Sequence, residues 1–280
     1  MSAPVRIVGK DACSPMGTIL TFLSQRTRSN WRRSFMSNRF FLDAKPTTEN
    51  VTLEGDQAHH AVQVMRLTTG DQIILFDGTG VEYHAVIDQV AKKRLSLRIL
   101  NTIAIDRAVK TRITLAIAMP KGDRQRFLIE KLVELGVERL VPLKTTRSVA
   151  VANEKVIKRL KKQVTEASKQ CRRNRLMEID DEKTLAQFSD SLDSSVTKLI
   201  ADPYRGRPIS QWIGTGSGKN SNPVAVAIGP EGGFDDQENE LAQSLGFQPV
   251  RLGPAILRVE TAAVAVAAIF GIGNEVEPVA

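Results

Sequence analysis

Apolar and polar positions divide the chain into three stretches of different character. From about residue 36 to 106, short runs at Arg39–Leu42, Gln72–Phe76, Glu82–Val86 and Arg94–Leu100 are separated by turn residues such as Asp77-Gly78-Thr79-Gly80. Short β-type runs punctuated by glycine predict strands. One interruption, His59 to Arg66 ahead of Thr69-Gly70-Asp71, has helical character. Several short strands around one short helix predict a small β-barrel. From about 107 onward, apolar runs at Ile113–Ala118, Leu140–Leu143, Lys198–Ala201, Val224–Ile228 and Pro249–Leu252 alternate with helical stretches. Asp123–Gly136 places Leu128, Leu132 and Leu135 along one face, Glu154–Gln170 carries its lysines outside, and a last helix from Glu260 to about Ile269 is rich in Ala and Val. That alternation predicts an α/β domain over 107–280 with a mostly parallel sheet, whose ligands sit at the carboxyl ends of the strands. The small side chains of the last helix suit an interface or, more simply, completion of the core.

Residues 1–35 follow neither period. They hold six of the 39 basic residues and one of the 31 acidic residues, so 33 basic and 30 acidic residues remain for 36–280. The formal charge of +8 and a pI near 9.6 point to a polyanionic partner, but the body is only mildly basic. An Arg- and Ser-rich, acid-poor stretch with scattered apolar residues reads as a disordered basic extension, an organellar transit peptide, or sequence upstream of the functional start. Met36 is the expected beginning of the fold. An apolar content of 42% with 25% charged residues fits a globular chain, and no apolar run reaches membrane-spanning length. Cys13 and Cys171 form neither a disulfide framework nor a metal-ligand pattern, and the histidines are His59, His60 and His84. A reduced, metal-free, cytoplasmic protein is the expectation.

Two loops carry candidate chemistry. Ala225 to Phe234 and Arg251 to Ala263 are each an apolar strand that ends in a Gly-Pro turn and opens onto a helix. Glycine at such a turn lets backbone approach a ligand, because no Cβ stands in the way. One loop of this kind is an ordinary α/β turn; two in one domain suggest a single site. A helix N-terminus favours anions, yet here a phosphate would meet Glu231, Asp235 and Asp236, and the lysine of a phosphate-binding loop is missing. The loops suit a neutral or cationic ligand, such as an adenosine bearing a sulfonium or amino group. Asp235 and Glu238 have the spacing of a capping box, which marks the start of a helix. His60 and Arg66 face RNA phosphates or, equally, are a packed histidine and a solvated arginine.

Several blocks carry a family resemblance: Asn38-Arg39-Phe40, His60 through Leu67, Lys121-Gly122-Asp123-Arg124, Lys131 through Val137, Pro142 with Thr146-Arg147-Ser148, Glu166 through Arg175, Ile228 through Gly233, and Leu252 through Thr261. In order and spacing they resemble the bacterial 16S ribosomal RNA uridine-N3 methyltransferases of the SPOUT superfamily, from Arg39 to about Ile269. The resemblance implies a PUA-like β-barrel over 36–106, a methyltransferase domain with a deep trefoil knot over 107–280, and a homodimer. It implies S-adenosylmethionine as cofactor, contacted largely through loop backbone at Ile228, Gly229, Pro230, Glu231, Gly232 and Gly233 and at Leu252, Gly253, Ile256 and Leu257. The implied substrate is a uridine in the decoding region of small-subunit RNA, in the assembled subunit, with Arg39, His60, Arg66, Arg147 and Arg173 as RNA contacts. Many relatives have glycine where this chain has Arg172 and a basic residue where it has Ala255; the first change adds a charge near the presumed RNA face and the second removes one.

Uridine N3 carries a proton at neutral pH, which must leave before or during methylation. A base or a cation beside the developing anion assists that step. Arg258 is the expected stabiliser of the anion, with Glu260 or Glu231 accepting the proton or orienting groups; equally, Glu260 caps the last helix and Glu231 stiffens its loop. Two other functions share these features. One is ribose 2′-O-methylation by a related knotted enzyme, and the other is a non-catalytic RNA-binding assembly factor.

Overall fold

The computed structural model describes residues 38–105, 107–212 and 222–272. The expectations for residues 1–35 lie outside the described residues. Strands β1 (Arg39–Phe41), β2 (Asn50–Glu54), β3 (Gln72–Phe76), β4 (Val81–Ala91) and β5 (Arg94–Ala104) form one sheet in the order β1-β3-β4-β5-β2. β1 pairs in parallel with β3, and the other ladders are antiparallel. Alternate residues of these strands, among them Phe40, Leu53, Ile73, Leu75, Ala85, Ile87, Leu95 and Leu97, pack into a single core, so the sheet wraps around its own interior. Helix α1 (Gly55–His59) runs into a π-helical turn, His60–Val64, and both plug that core with Ala58 and Ala61. α1 also bridges to strand β1. The Gln57 side-chain oxygen accepts from the Phe41 N–H at 2.9 Å and its amide nitrogen donates to the Phe41 carbonyl at 2.8 Å, supplying the pair of bonds a neighbouring strand would make.

The second unit is a seven-stranded parallel sheet in the order β10-β12-β9-β11-β6-β7-β8. Its strands are β6 (Ile113–Ile117), β7 (Arg139–Pro142), β8 (Glu178–Ile179), β9 (Thr197–Ala201), β10 (Arg207–Pro208), β11 (Val224–Ile228) and β12 (Gln248–Arg251). Helices α2 (Asp123–Glu134), α3 (Glu154–Cys171) and α6 (Val259–Ile272) cover one face, while α4 (Leu185–Asp190) and α5 (Asp236–Ser244) cover the other. β11 is buried at all five positions, as expected for a central strand covered on both faces. Its valines and Ile228 point to the α2/α3/α6 side and its alanines to the α4/α5 side. α6 completes the core, with Ala263, Val266 and Ala267 fully buried. It packs closely on α2: a Cβ at Gly271 would lie 2.6 Å from the Leu135 carbonyl oxygen.

A buried polar joint ties the two units together. Arg39 donates to Glu82 at 2.5 Å and to the Asn174 side-chain oxygen at 2.6 Å; Arg107 donates to the same Glu82 oxygen at 2.8 Å and to the Arg172 carbonyl at 3.0 Å. Asn174 in turn donates to the Ile105 carbonyl, and the β3–β4 turn exchanges backbone bonds with residues 174–176. Burial raises the affinity of the Glu82 carboxyl for a proton, but the hydrogen bonds from Arg107 and Arg39 outweigh it and hold the group below its usual range. Of the arginines expected to contact RNA, Arg39 is 6% exposed within this joint, and Arg173 is 5% exposed and donates to the Val133 carbonyl. The sequence block around them serves domain docking because carbonyls and carboxylates from both units converge on it.

Candidate functional site

The carboxyl ends of β9, β11 and β12 open into a cavity of about 440 Å³. This lies where the strand order breaks, with β11 between β6 and β9 and with β12 beyond β9, the place where open α/β sheets bind ligands. Three loops build it. The loop after β11 turns tightly, the Gly233 N–H donating to the Pro230 carbonyl at 2.8 Å. Its Gly229 packs closely against the loop's own Phe234: a Cβ there would sit 3.0 Å from the ring, which would have to give by a few tenths of an ångström. Gly253, after β12, is different: nothing lies within 4 Å of where its Cβ would be. No hydrogen bond among the described residues uses the backbone N–H of Gly253, Ala255, Ile256 or Leu257. The third loop, after β9, turns at Asp202, whose carboxylate accepts from the N–H groups of Tyr204 and Arg205 at 2.8 and 3.0 Å.

Helix α5 begins at Asp235, as its spacing to Glu238 predicts. The Asp235 side chain accepts from the Glu238 N–H at 2.8 Å, and Glu238 reaches back to the Asp235 N–H at 3.0 Å. The other Glu238 oxygen accepts from the Thr146 N–H at 2.8 Å, and Arg147 donates to the Gly232 carbonyl at 2.6 Å. The loop after β7 is therefore stitched to the glycine loop through both residues.

The acidic groups are organised by an arginine that the sequence reading did not single out. Arg124, in the first turn of α2, donates to Glu231 at 2.8 Å and lies 3.7 Å from Glu260. Glu260 is 7% exposed, and one of its buried oxygens has no hydrogen-bond partner. The Glu231 carboxyl is held below its usual range, first by a hydrogen bond from its own backbone N–H and then by Arg124, with Arg258 adding a smaller effect. A carboxylate so stabilised is a weak proton acceptor. Arg124 stands in the Lys121-Gly122-Asp123-Arg124 block, so its signal was present, but its two glutamate partners lie more than a hundred residues away.

Ile228, Gly229, Pro230, Glu231, Gly232, Gly233, Leu252, Gly253, Ile256 and Leu257 all line this one cavity, as does Arg147. Arg258 is exposed just beyond the lining, and Glu260 is buried beneath it at the start of α6. His60 and Arg66 are exposed on the first unit, where the π-helical turn and a left-handed Arg66, φ 56°, shape the surface. Such a conformation in a non-glycine residue is uncommon and persists only where its surroundings hold it. The structure does not bring these two into the cavity. With apolar walls, backbone donors and an acidic rim, the cavity accommodates a ligand that is part apolar and neutral or cationic.

Residues 107–271 match the family model of an RNA methyltransferase domain, and residues 53–100 match that of an RNA methyltransferase PUA domain. A ribosomal RNA small subunit methyltransferase E from Synechocystis is 34% identical over 76% of this chain and 69% of its own length. Its counterpart from Rickettsia conorii is 31% identical over 87% of this chain and 99% of its own length. The chain belongs to the ribosomal RNA small subunit methyltransferase E family. A solved family member from Neisseria gonorrhoeae, bound to S-adenosylmethionine, has 31% identity and a TM-score of 0.73 over 82% of this chain and 95% of its own. A methyltransferase from Legionella pneumophila, also with S-adenosylmethionine bound, has 30% identity and a TM-score of 0.75 over 84% and 96%. Among the described residues no helix is long and apolar enough to cross a membrane, and no cluster of His, Cys, Asp and Glu has the make-up of a metal site.

Proposed function

We propose that this protein methylates N3 of one uridine in the decoding region of 16S ribosomal RNA, using S-adenosylmethionine. The observation that carries the reading is the convergence of both glycine loops on one cavity in a chain of this family. The residues present fit the cofactor. Leu257, Val259 and Ala262 offer apolar walls, the backbone donors of 253–257 suit the polar edge of an adenosine, and Glu231, Asp235 and Asp236 suit a cationic sulfonium. The open space at Gly253 admits close approach of a ligand to backbone. When bound, the cofactor supplies an activated methyl group.

The remaining work falls to side chains of the chain itself. N3 must lose its proton, and the resulting negative charge spreads onto the uracil oxygens. Arg258, exposed beside the cavity, offers a cation to that charge. Glu260 is the better of the two carboxylates for receiving the proton, because Glu231 is held ionised by its own N–H and by Arg124. Arg124 holds both glutamates at fixed positions, and alignment of the reactants is itself worth roughly 7–11 kcal/mol in favourable cases. His60, Arg66 and Arg147 supply exposed positive or polar contacts for the RNA backbone. The assembled small subunit is the proposed substrate and the cytoplasm the proposed location. Two copies form the proposed working unit, each with the knotted chain path that the family resemblance implies.

Single-turnover transfer of labelled methyl to small subunits tests the residue roles. Arg258→Ala should slow transfer by at least tenfold with cofactor affinity unchanged, and Glu260→Gln should slow it more than Glu231→Gln. Full turnover by Arg258→Ala would overturn its role, and equal, unimpaired rates for both glutamate variants would place the base elsewhere.

A further inference from the structure

Tyr204 lies on the loop between β9 and β10 and is 79% exposed, yet it lines the same cavity as the glycine loops. The chain contains two tyrosines; the other, Tyr83, is buried with its hydroxyl donating to Asp77. No ring contact among the described residues engages Tyr204. Its backbone is nonetheless firmly set. The buried Asp202 carboxylate accepts from the N–H groups of Tyr204 and Arg205, and Arg205 pairs with Asp236 at 2.9 Å. Two residues on, Gly206 lies so close to β12 that a Cβ would be 2.3 Å from the Val250 carbonyl carbon. The loop is thus pinned on both sides of an aromatic ring held out at the cavity mouth. On the loop after β12, Ile256, 68% exposed, lines the same cavity.

We propose that Tyr204, with Ile256 opposite, grips the unstacked target base of the RNA by its two flat faces. This rests on the methyltransferase reading above. An enzyme that modifies a base edge must take the base out of its stack, and bases so exposed are held between aromatic and apolar side chains. Stacking uses the faces of the ring and leaves its edge free, so N3 of a clamped uracil remains open toward the cavity. An exposed ring at the rim suits a base arriving from outside, whereas a cofactor enclosed by the loops would sit deeper. Tyr204 is therefore a specificity and positioning contact for the substrate.

The test compares Tyr204→Ala and Tyr204→Phe with the unaltered full chain in methyl transfer to small subunits, alongside calorimetric titration with S-adenosylmethionine and sedimentation. Stacking contacts removed by alanine substitution correspond to about a 5- to 150-fold loss. Tyr204→Ala should lose that much in kcat/KM for the subunit, Tyr204→Phe should stay within about threefold, and cofactor affinity should not change. Unchanged kcat/KM in Tyr204→Ala, equal losses in both variants, a loss confined to cofactor affinity, or a shift in oligomeric state would each overturn the clamp. If the unaltered chain transfers no methyl group, the failure lies with the methyltransferase reading, and the titration still separates the two.

Discussion

Arg124 stands between an exposed and a buried carboxylate, and the two partners respond differently to its loss. The pair with Glu231 is more than a third exposed on both sides, so it contributes about 0–1 kcal/mol. Glu260 is buried with one oxygen unpartnered, and removing the nearby cation leaves it without compensation. Arg124→Met should therefore destabilise the protein by about 1–3 kcal/mol in urea unfolding, and Glu231→Gln by less than about 1 kcal/mol. Arg172 presents the opposite case. It caps α3 in the left-handed conformation, φ 61° and ψ 27°, which costs a side chain bearing a Cβ about 1 kcal/mol. Arg172→Gly should raise the unfolding midpoint, and a fall would show that its side chain compensates. From the sequence Arg172 was read only as an added charge; its left-handed backbone angle comes only with the helix end. Likewise the glycines of the first loop were read as room for a ligand; Gly229 lines the cavity and also packs against Phe234, a contact the sequence did not signal.

Among the elements, those with strong periodicity were legible and those fixed by distant partners were not. β11 and the start of α5 follow from an apolar run and a capping box, both local signals. β2 was missed because Asn50–Glu54 buries only Leu53 fully, and β8 and β10 are two residues long, too short for any pattern. The joint between the units was missed for a physical reason: Arg39, Glu82, Arg107 and Asn174 come from four separate parts of the chain. Basic residues in such a block read as RNA contacts, and the carboxylate that two of them share becomes visible only in three dimensions. Glu82→Gln leaves two arginines with a weaker partner, one of them buried. It should cost up to about 3–5 kcal/mol, seen as earlier unfolding of the sheet β1–β5 by hydrogen exchange. The joint also carries a pH dependence. The folded Glu82 carboxyl is held below its ordinary 4.5, so its contribution is complete above that value and is lost as pH falls below it. Acid unfolding of the unaltered chain should steepen below about pH 4.5, and that component should vanish in Glu82→Gln.

At the scale of the whole molecule, a β-unit, a parallel α/β unit and a cavity at the sheet's switch point combine into an enzyme that brings RNA to a bound methyl donor. The fold class and the two loops were legible from alternation and glycine placement. The proposals of a knotted path, of two paired copies and of a uridine target rest on the family resemblance, because periodicity carries no information on threading or symmetry. The family resemblance begins at about Arg39, the first residue of β1, so a chain lacking residues 1–35 should keep its transfer activity within about twofold. Cofactor binding should also stabilise the protein by about 2.7 kcal/mol at a hundredfold excess over Kd, as a rise in Tm. The most direct test of the central claim is transfer of labelled methyl from S-adenosylmethionine to small subunits taken from cells lacking the protein, followed by digestion and identification of the labelled nucleoside. N3-methyluridine at a single site is the predicted product; a ribose-methylated nucleoside, or no labelled nucleoside from a chain that binds the cofactor, would contradict the account.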